Sequence, residues 1–200
     1  MEETMDNVAR KIEYYTYTDY LTWDDDEVRV ELIDGIVYDM AAPSVNHQIV
    51  LREISIDFGL YFRGHPCDLL IAPTDVRLDA DGRDDTVVQP DLFVVCDKSK
   101  LDAKSYKGAP VFISEILSPS NSKMDTLIKL NKYLAVGVQE YWIIDPIEKM
   151  VMVHILQGDS YSTKVYTEGV IKLSVFENFE IDIDVLFAQL ITEPAEQNEG

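Results

Sequence analysis

A chain of 200 residues with 46% apolar side chains is long enough for one self-sufficient domain and too apolar for a disordered segment. Its 17 basic and 37 acidic residues give a net charge of −20, which by itself argues against a general nucleic-acid binder, because neutralising phosphates needs Lys and Arg. No apolar run approaches the ~18 residues of a membrane helix. The opening MEETMDNVAR is acidic and polar, unlike a secretory leader, so a cytoplasmic protein with Cys67 and Cys96 as free thiols is expected.

Thr16 to Trp23 reads as a short helix with a threonine N-cap. Val28–Ile33 and Ile36–Met40 are short β runs around Asp34-Gly35, a strong hairpin signal. Pro43-Ser44 opens a helix to Phe62, with Ile49, Ile56 and Leu60 among its apolar positions, ended by Gly64 and Pro66. Leu69–Ala72 and Asp75–Leu78 read as strands around Pro73, and 79–85 (DADGRDD) as a polar turn. Val87-Val88 and Leu92–Val95 bracket Gln89-Pro90-Asp91, and a basic loop runs from Lys98 to Gly108. Val111–Leu117 is apolar on both faces, which predicts a buried central strand. Ser118-Pro119-Ser120 breaks it. A helix follows from about Asn121 to Val136, with Met124, Leu127, Leu130 and Leu134 as its apolar stripe. Glu140–Ile144 is another apolar strand. Val151–Leu156 and Tyr161–Tyr166 form a hairpin around Gly158-Asp159, followed by a possible strand at Val170–Val175 and a short helix at Val185–Leu190. Residues 1–15 and 191–200 read as tails around a single domain, 16–190. Helices and strands alternate in the middle, with strands clustered at both ends, which favours a mixed-sheet α/β or α+β layer fold.

The charge is unevenly spread. Residues 1–40 hold 12 acids and 3 bases, a net of −9, whereas residues 98–132 hold 7 lysines and 3 acids, a net of +4. The basic stretch is either a solvated face or a local patch on an acidic body. There is no phosphate-cradling glycine loop, no GxSxG elbow and no metal spacing among His47, His65 and His154. His47 stands out only because it begins a helix.

Carboxylates on buried strands are more informative. Glu115 lies inside VFISEIL, where an ionised carboxylate must be paired, protonated or metal-bound. Asp91 opens an equally apolar strand. The two could share a divalent cation, or Asp91 could cap a turn while Glu115 pairs with a structural base. Asp125, Lys129 and Tyr133 form one stripe of the following helix, opposite Leu127 and Leu134. This is either a solvent-facing ion pair or a cation delivered to a site.

In order, ELIDG (31–35), SVNHQ (44–48), QPDLFVV (89–95), APVFISEILSPS (109–120), DTLIKLNKY (125–133) and GVQEYWIIDP (137–146) resemble the motifs of the Uma family of bacterial restriction-endonuclease-like proteins. That family belongs to the PD-(D/E)XK nuclease-like superfamily. The resemblance spans roughly residues 16–190. It implies a restriction-endonuclease-like core, a mixed central sheet flanked by helices with β-hairpins near both ends. It also implies an endonuclease hydrolysing nucleic acid, DNA first, with Mg²⁺ or Mn²⁺. Asp91 and Glu115 match the paired acids, and Glu31 resembles an additional N-terminal acid. Leu117 occupies the usual lysine position. Lys129 is the best substitute, ahead of Lys123 and Lys132. The basic segment, with Lys104, Lys107, Lys123 and Lys132, would meet the phosphate backbone. Related scaffolds commonly pair, so a homodimer is expected. The rival readings are a non-catalytic binding or assembly protein on the same scaffold, and acids that serve the fold alone.

Overall fold

The computed structural model describes residues 13–23, 29–118 and 123–191, with the side chains of 123–125 outside that description. The first half contains α1 (Tyr17–Tyr20), β1 (Val30–Ile33), β2 (Ile36–Asp39), α2 (Val45–Phe62), β3 (Asp68–Ile71), β4 (Asp75–Arg77), β5 (Val87–Val88) and β6 (Leu92–Val95). The second contains β7 (Ser105–Lys107), β8 (Phe112–Ile116), α3 (Lys123–Val136), β9 (Glu140–Asp145), β10 (Met150–Gln157), β11 (Ser160–Tyr166), β12 (Val170–Lys172), β13 (Glu180–Asp182) and α4 (Ile183–Phe187). Val28, Pro119 to Asn121, residues 1–12 and residues 192–200, all given roles above, lie outside the described residues. Tyr15, expected in the tail, belongs to the fold: its N–H donates to the Gly35 carbonyl at 3.0 Å.

Local chemistry accounts for the elements that position the site. Asp34 and Gly35 both take positive φ, 52° and 76°, as a tight two-residue hairpin turn requires, and Ile33 pairs with Ile36 across it. Ser44 caps α2 by accepting the His47 N–H at 3.2 Å. The buried face of α2 is His47, Val50, Ile54, Phe58 and Phe62. Ile56 and Leu60, counted above as apolar positions of this helix, are exposed instead. The helix is apolar on more than one side, and the side with Phe58 wins because its ring packs 4.9 Å from Phe112 on β8.

The fold is a mixed α+β assembly of sheets flanked by helices. A six-stranded sheet runs β11-β10-β9-β8-β6-β3, with β8 and β9 parallel and the other pairs antiparallel. A second sheet runs β2-β1-β5-β4-β7, and β12 pairs with β13. Two hairpins, β1–β2 and β10–β11, occupy the expected places. Strand β8 is buried throughout. Phe112 and Ile116 join a core with α2, β12, β13 and α4, whereas Ile113 joins a core with Tyr133 of α3 and Val76 of β4. The two-faced apolar pattern of Val111–Leu117 thus has a layer on each side.

Three further expectations change. Part of the basic loop is a strand, β7, whose Tyr106 is buried and which pairs in parallel with β4. Serine and lysine flanking one tyrosine carry no apolar alternation, so the pattern is silent. Helix α4 starts two residues early because Asp182 caps it, accepting the Asp184 N–H at 3.0 Å. The cysteines are not free: Cys67 and Cys96 form a disulfide, with Cα atoms 4.1 Å apart. The antiparallel register pairs Asp68 with Val95, so the two cysteines stand opposite each other one position further on.

Glu140 on β9 is fully buried and shows what a structural carboxylate looks like here. Its Oε1 accepts the Trp142 Nε1–H at 2.6 Å. Its Oε2 accepts the Ser174 N–H and hydroxyl, each at 2.6 Å, and the Val175 N–H at 3.2 Å. Glu140→Ala strands the buried Trp142 N–H and releases the residue 174 and 175 donors toward water, and is expected to cost about 2 kcal/mol, read as a lower urea midpoint with unchanged slope.

Candidate active site

Five elements bring functional side chains to one cleft of about 320 Å³. Glu31 comes from β1, His47 from the first turn of α2, Asp91 from the residue before β6, Glu115 from β8 and Lys129 from α3. All five line it. The adjacency of β6 and β8, with Leu92 opposite Ser114, brings Asp91 and Glu115 to the same end of the sheet. The carboxylate of Asp91 is held at both oxygens. The Ile116 N–H donates to Oδ2 at 2.7 Å, and His47 Nε2 lies 3.1 Å from Oδ1.

Lys129 ties the other two acids together. Its Nζ lies 2.8 Å from Glu31 Oε1 and 3.1 Å from Glu115 Oε1. The Tyr133 hydroxyl, one helical turn on, donates to the same Glu115 oxygen at 2.7 Å. Glu31 Oε1 also accepts the Gln89 N–H at 2.8 Å, which anchors the segment leading to Pro90-Asp91. The Lys129, Glu31 and Glu115 side chains are only 13%, 6% and 11% exposed. These are buried charges, held by pairing and hydrogen bonding as buried charges must be.

The electrostatics follow from this burial. Desolvation pushes the Glu115 carboxyl up to about 7; Lys129 and the Tyr133 hydrogen bond pull against the rise, while Asp91 and Glu31 add to it. Burial pulls Lys129 toward its neutral form, but Glu115 and Glu31 outweigh that and hold it above the ordinary lysine value. Lys129 therefore stays charged, and Glu115 sits at the edge of ionisation. A carboxylate so placed is stabilised by any further cation that reaches it.

The structure thus gathers all four acid and lysine candidates, Asp91, Glu115, Lys129 and Glu31. It also decides the α3 stripe: Lys129 and Tyr133 face inward, and Leu127, expected on the apolar stripe, is 51% exposed. Leu117, at the usual lysine position, lines the cleft. Among the described residues the other candidate lysines do not line it. Lys132 pairs with Asp34, and Lys107 lies 3.2 Å from Asp102. Lys104 is exposed beside that same Asp102 carboxylate, which accepts its N–H at 2.8 Å. The side chain of Lys123 lies outside the described residues. His47 and Tyr133 are the functional neighbours that sequence reasoning left unassigned. The helix-start position of His47 and the i+4 spacing of Tyr133 from Lys129 were the available signals.

A family model, Uma2, described as "Putative restriction endonuclease", matches residues 17–185. The chain belongs to this family. The Uma2 match spans every residue of the cluster just described. A similar fold is seen in the crystal structure of "a putative nuclease belonging to DUF820" from Anabaena variabilis, with a TM-score of 0.71 and 21% identity, covering 87% of this chain and 98% of that one. The uncharacterized protein slr1290 of Synechocystis sp. is 27% identical over 116 residues, 58% of this chain. The chain spans about 60% of the length of that curated relative.

The raised Glu115 value sets a pH dependence. The proton is bound more tightly in the folded state, so its stabilising contribution is full below the ordinary value of 4.5 and is lost as pH rises through about 7. Wild type should therefore lose urea stability relative to Glu115→Gln between about pH 5 and about pH 8. Parallel urea midpoints of the two proteins check this.

Proposed function

We propose that this Uma2 protein is a metal-dependent endonuclease that hydrolyses phosphodiester bonds in nucleic acid, with DNA as the first candidate. The observation that carries the reading is a buried lysine held between two carboxylates, beside a third carboxylate fixed by the neighbouring strand, in an open cleft. Purely structural acids in this fold look different: Glu140 is saturated by donors of its own chain and lines no part of that cleft.

The donor set fits a hard divalent cation. Among the described residues no three His, Cys, Asp or Glu side chains form a ready-made cage. Mg²⁺ does not require one, since it takes one or two carboxylates and completes its shell with water and phosphate oxygens. Asp91 and Glu115 would hold it, with Glu31 close by. Mn²⁺ suits the same oxygens. Such an ion supplies positive charge to the phosphate and lowers the pKa of a bound water.

The chain's own groups do the rest. Lys129, kept protonated by its two carboxylates, offers an ammonium to a phosphate oxygen and orients the attacking water. Tyr133 fixes the Glu115 carboxylate, and His47 fixes that of Asp91, roles of the kind that tune metal ligands from behind. In the reaction the water oxygen bonds to phosphorus, the P–O bond to one sugar breaks, and the proton lost by water ends on the departing sugar oxygen. A homodimer would present two such clefts, and a cytoplasmic location would give them access to nucleic acid.

The net charge of −20 and Leu117 at the usual lysine position favour one rival, a binding or assembly protein on the same scaffold. Cleavage assays on single- and double-stranded DNA and RNA, with Mg²⁺, Mn²⁺ or EDTA, separate the two. Metal-dependent cutting that falls at least ~100-fold in Asp91→Ala and in Glu115→Ala upholds the nuclease. Mn²⁺ binding without any cutting favours the scaffold. His47→Gln is expected to weaken Mn²⁺ binding about tenfold while leaving the melting temperature near that of wild type, as calorimetric titration and thermal melts would show.

A further inference from the structure

We infer that the cleft admits an unpaired nucleotide, so that the substrate is single-stranded nucleic acid whose base stacks on Tyr38. The inference deepens the nuclease reading and rests on it.

Depth is the first reason. The Asp91, Glu31 and Glu115 side chains are 16%, 6% and 11% exposed, so the reacting phosphate must enter the cleft rather than lie across it. A volume of about 320 Å³ is at the small end for ligand sites. A flexible strand can insert one nucleotide into such a space, whereas a duplex holds each phosphate between stacked, paired neighbours and would have to expel one first.

The lining is the second reason. Tyr38, Met40, Pro43, Ile71 and Pro73 form apolar walls around the acids. The β1–β2 register pairs Glu31 with Tyr38 directly, so the tyrosine ring stands on the same face as a site carboxylate. Ile71, 44% exposed, adds an apolar rim to the same cleft. Aromatic and apolar walls beside a phosphate site suit base stacking, which every base can provide.

Charge is the third. Among its described lining residues the cleft has four acids, Glu31, Asp39, Asp91 and Glu115, against Arg29 and Lys129. Elsewhere Lys98, Lys100, Lys107 and Lys132 are each paired with an aspartate. Any nucleic acid gains affinity from neutralised phosphates, and this cleft offers few cations, so a strand whose bases are free to stack has a source of affinity that a closed duplex lacks. Stacking on Tyr38, with the exposed Arg29 near a phosphate, supplies affinity by another route.

The test uses the full chain with 2-aminopurine-labelled single strands of DNA and RNA, and the same DNA strand annealed into a blunt duplex, all with Mn²⁺. The expected result is single-strand cleavage at least tenfold faster than duplex cleavage, with quenching of the 2-aminopurine signal on binding. Tyr38→Leu should raise KM for the single strand about tenfold and lose the quenching, and Tyr38→Phe should restore both. Thermal melts of the two variants separate a lost stack from a lost fold, and Arg29→Ala, which gives up only an exposed hydrogen bond to the Gln89 side chain, should raise KM with a melting temperature near that of wild type. Duplex cleaved as fast as single strand, or Tyr38→Leu with wild-type KM and quenching, overturns the inference while leaving the nuclease standing. Quenching of the single strand without cutting upholds the base site and removes the nuclease reading. Neither quenching nor cutting overturns both.

Discussion

Everything at the candidate site depends on keeping one ammonium group inside the protein. Lys129 is buried on α3, and a lone buried charge would cost several kcal/mol. Glu31 and Glu115 offset that cost from two different sheets, and in doing so fix where α3 lies relative to both. Burial leaves Glu115 poorly stabilised as an anion, because the one ammonium that opposes it also serves Glu31, and Asp91 adds a further negative group nearby. A structural ion pair would be better balanced. This one is left short of positive charge, facing a cleft through which more can arrive.

The contrast with Glu140 makes the point in physical terms. Both glutamates sit on adjacent, parallel, buried strands. Glu140 meets a tryptophan N–H and the amides and hydroxyl of residues 174 and 175, donors that bring no formal charge and leave nothing unsatisfied. Glu115 meets a cation and a tyrosine. The strand pattern is nearly the same in the two cases, and only the partners divide a brace from a site.

That contrast also explains what could be read from the chain beforehand. Asp34-Gly35, the Ser44 cap and the two-faced strand around Glu115 are local signals, and each corresponds to an observed element. The two acids and the lysine were legible because a carboxylate in VFISEIL, a Pro-Asp before LFVV and an i, i+4 polar stripe are all anomalies against an apolar background. The inward turn of that stripe was not legible, since periodicity cannot say which face of α3 meets the sheet, and Leu127 misled. His47 and Asp91 are 44 positions apart, so their pairing needs α2 and β6 in place first. Short strands such as β7, and the opposition of Cys67 and Cys96, come from register rather than composition.

The strand carrying Asp91 is held at both ends. At one end Cys96 is joined covalently to Cys67 on the neighbouring strand. At the other, the Asp91 carboxylate grips the Ile116 amide of β8. Between these two fastenings lie Leu92 to Val95, all buried. A segment fastened this way has no free end from which to fray, so its amides are expected to be among the slower ones to exchange with solvent. The acid that would face a substrate is thereby mounted on one of the least yielding parts of the molecule, and the adaptability needed to receive a strand must come from the walls of the cleft instead.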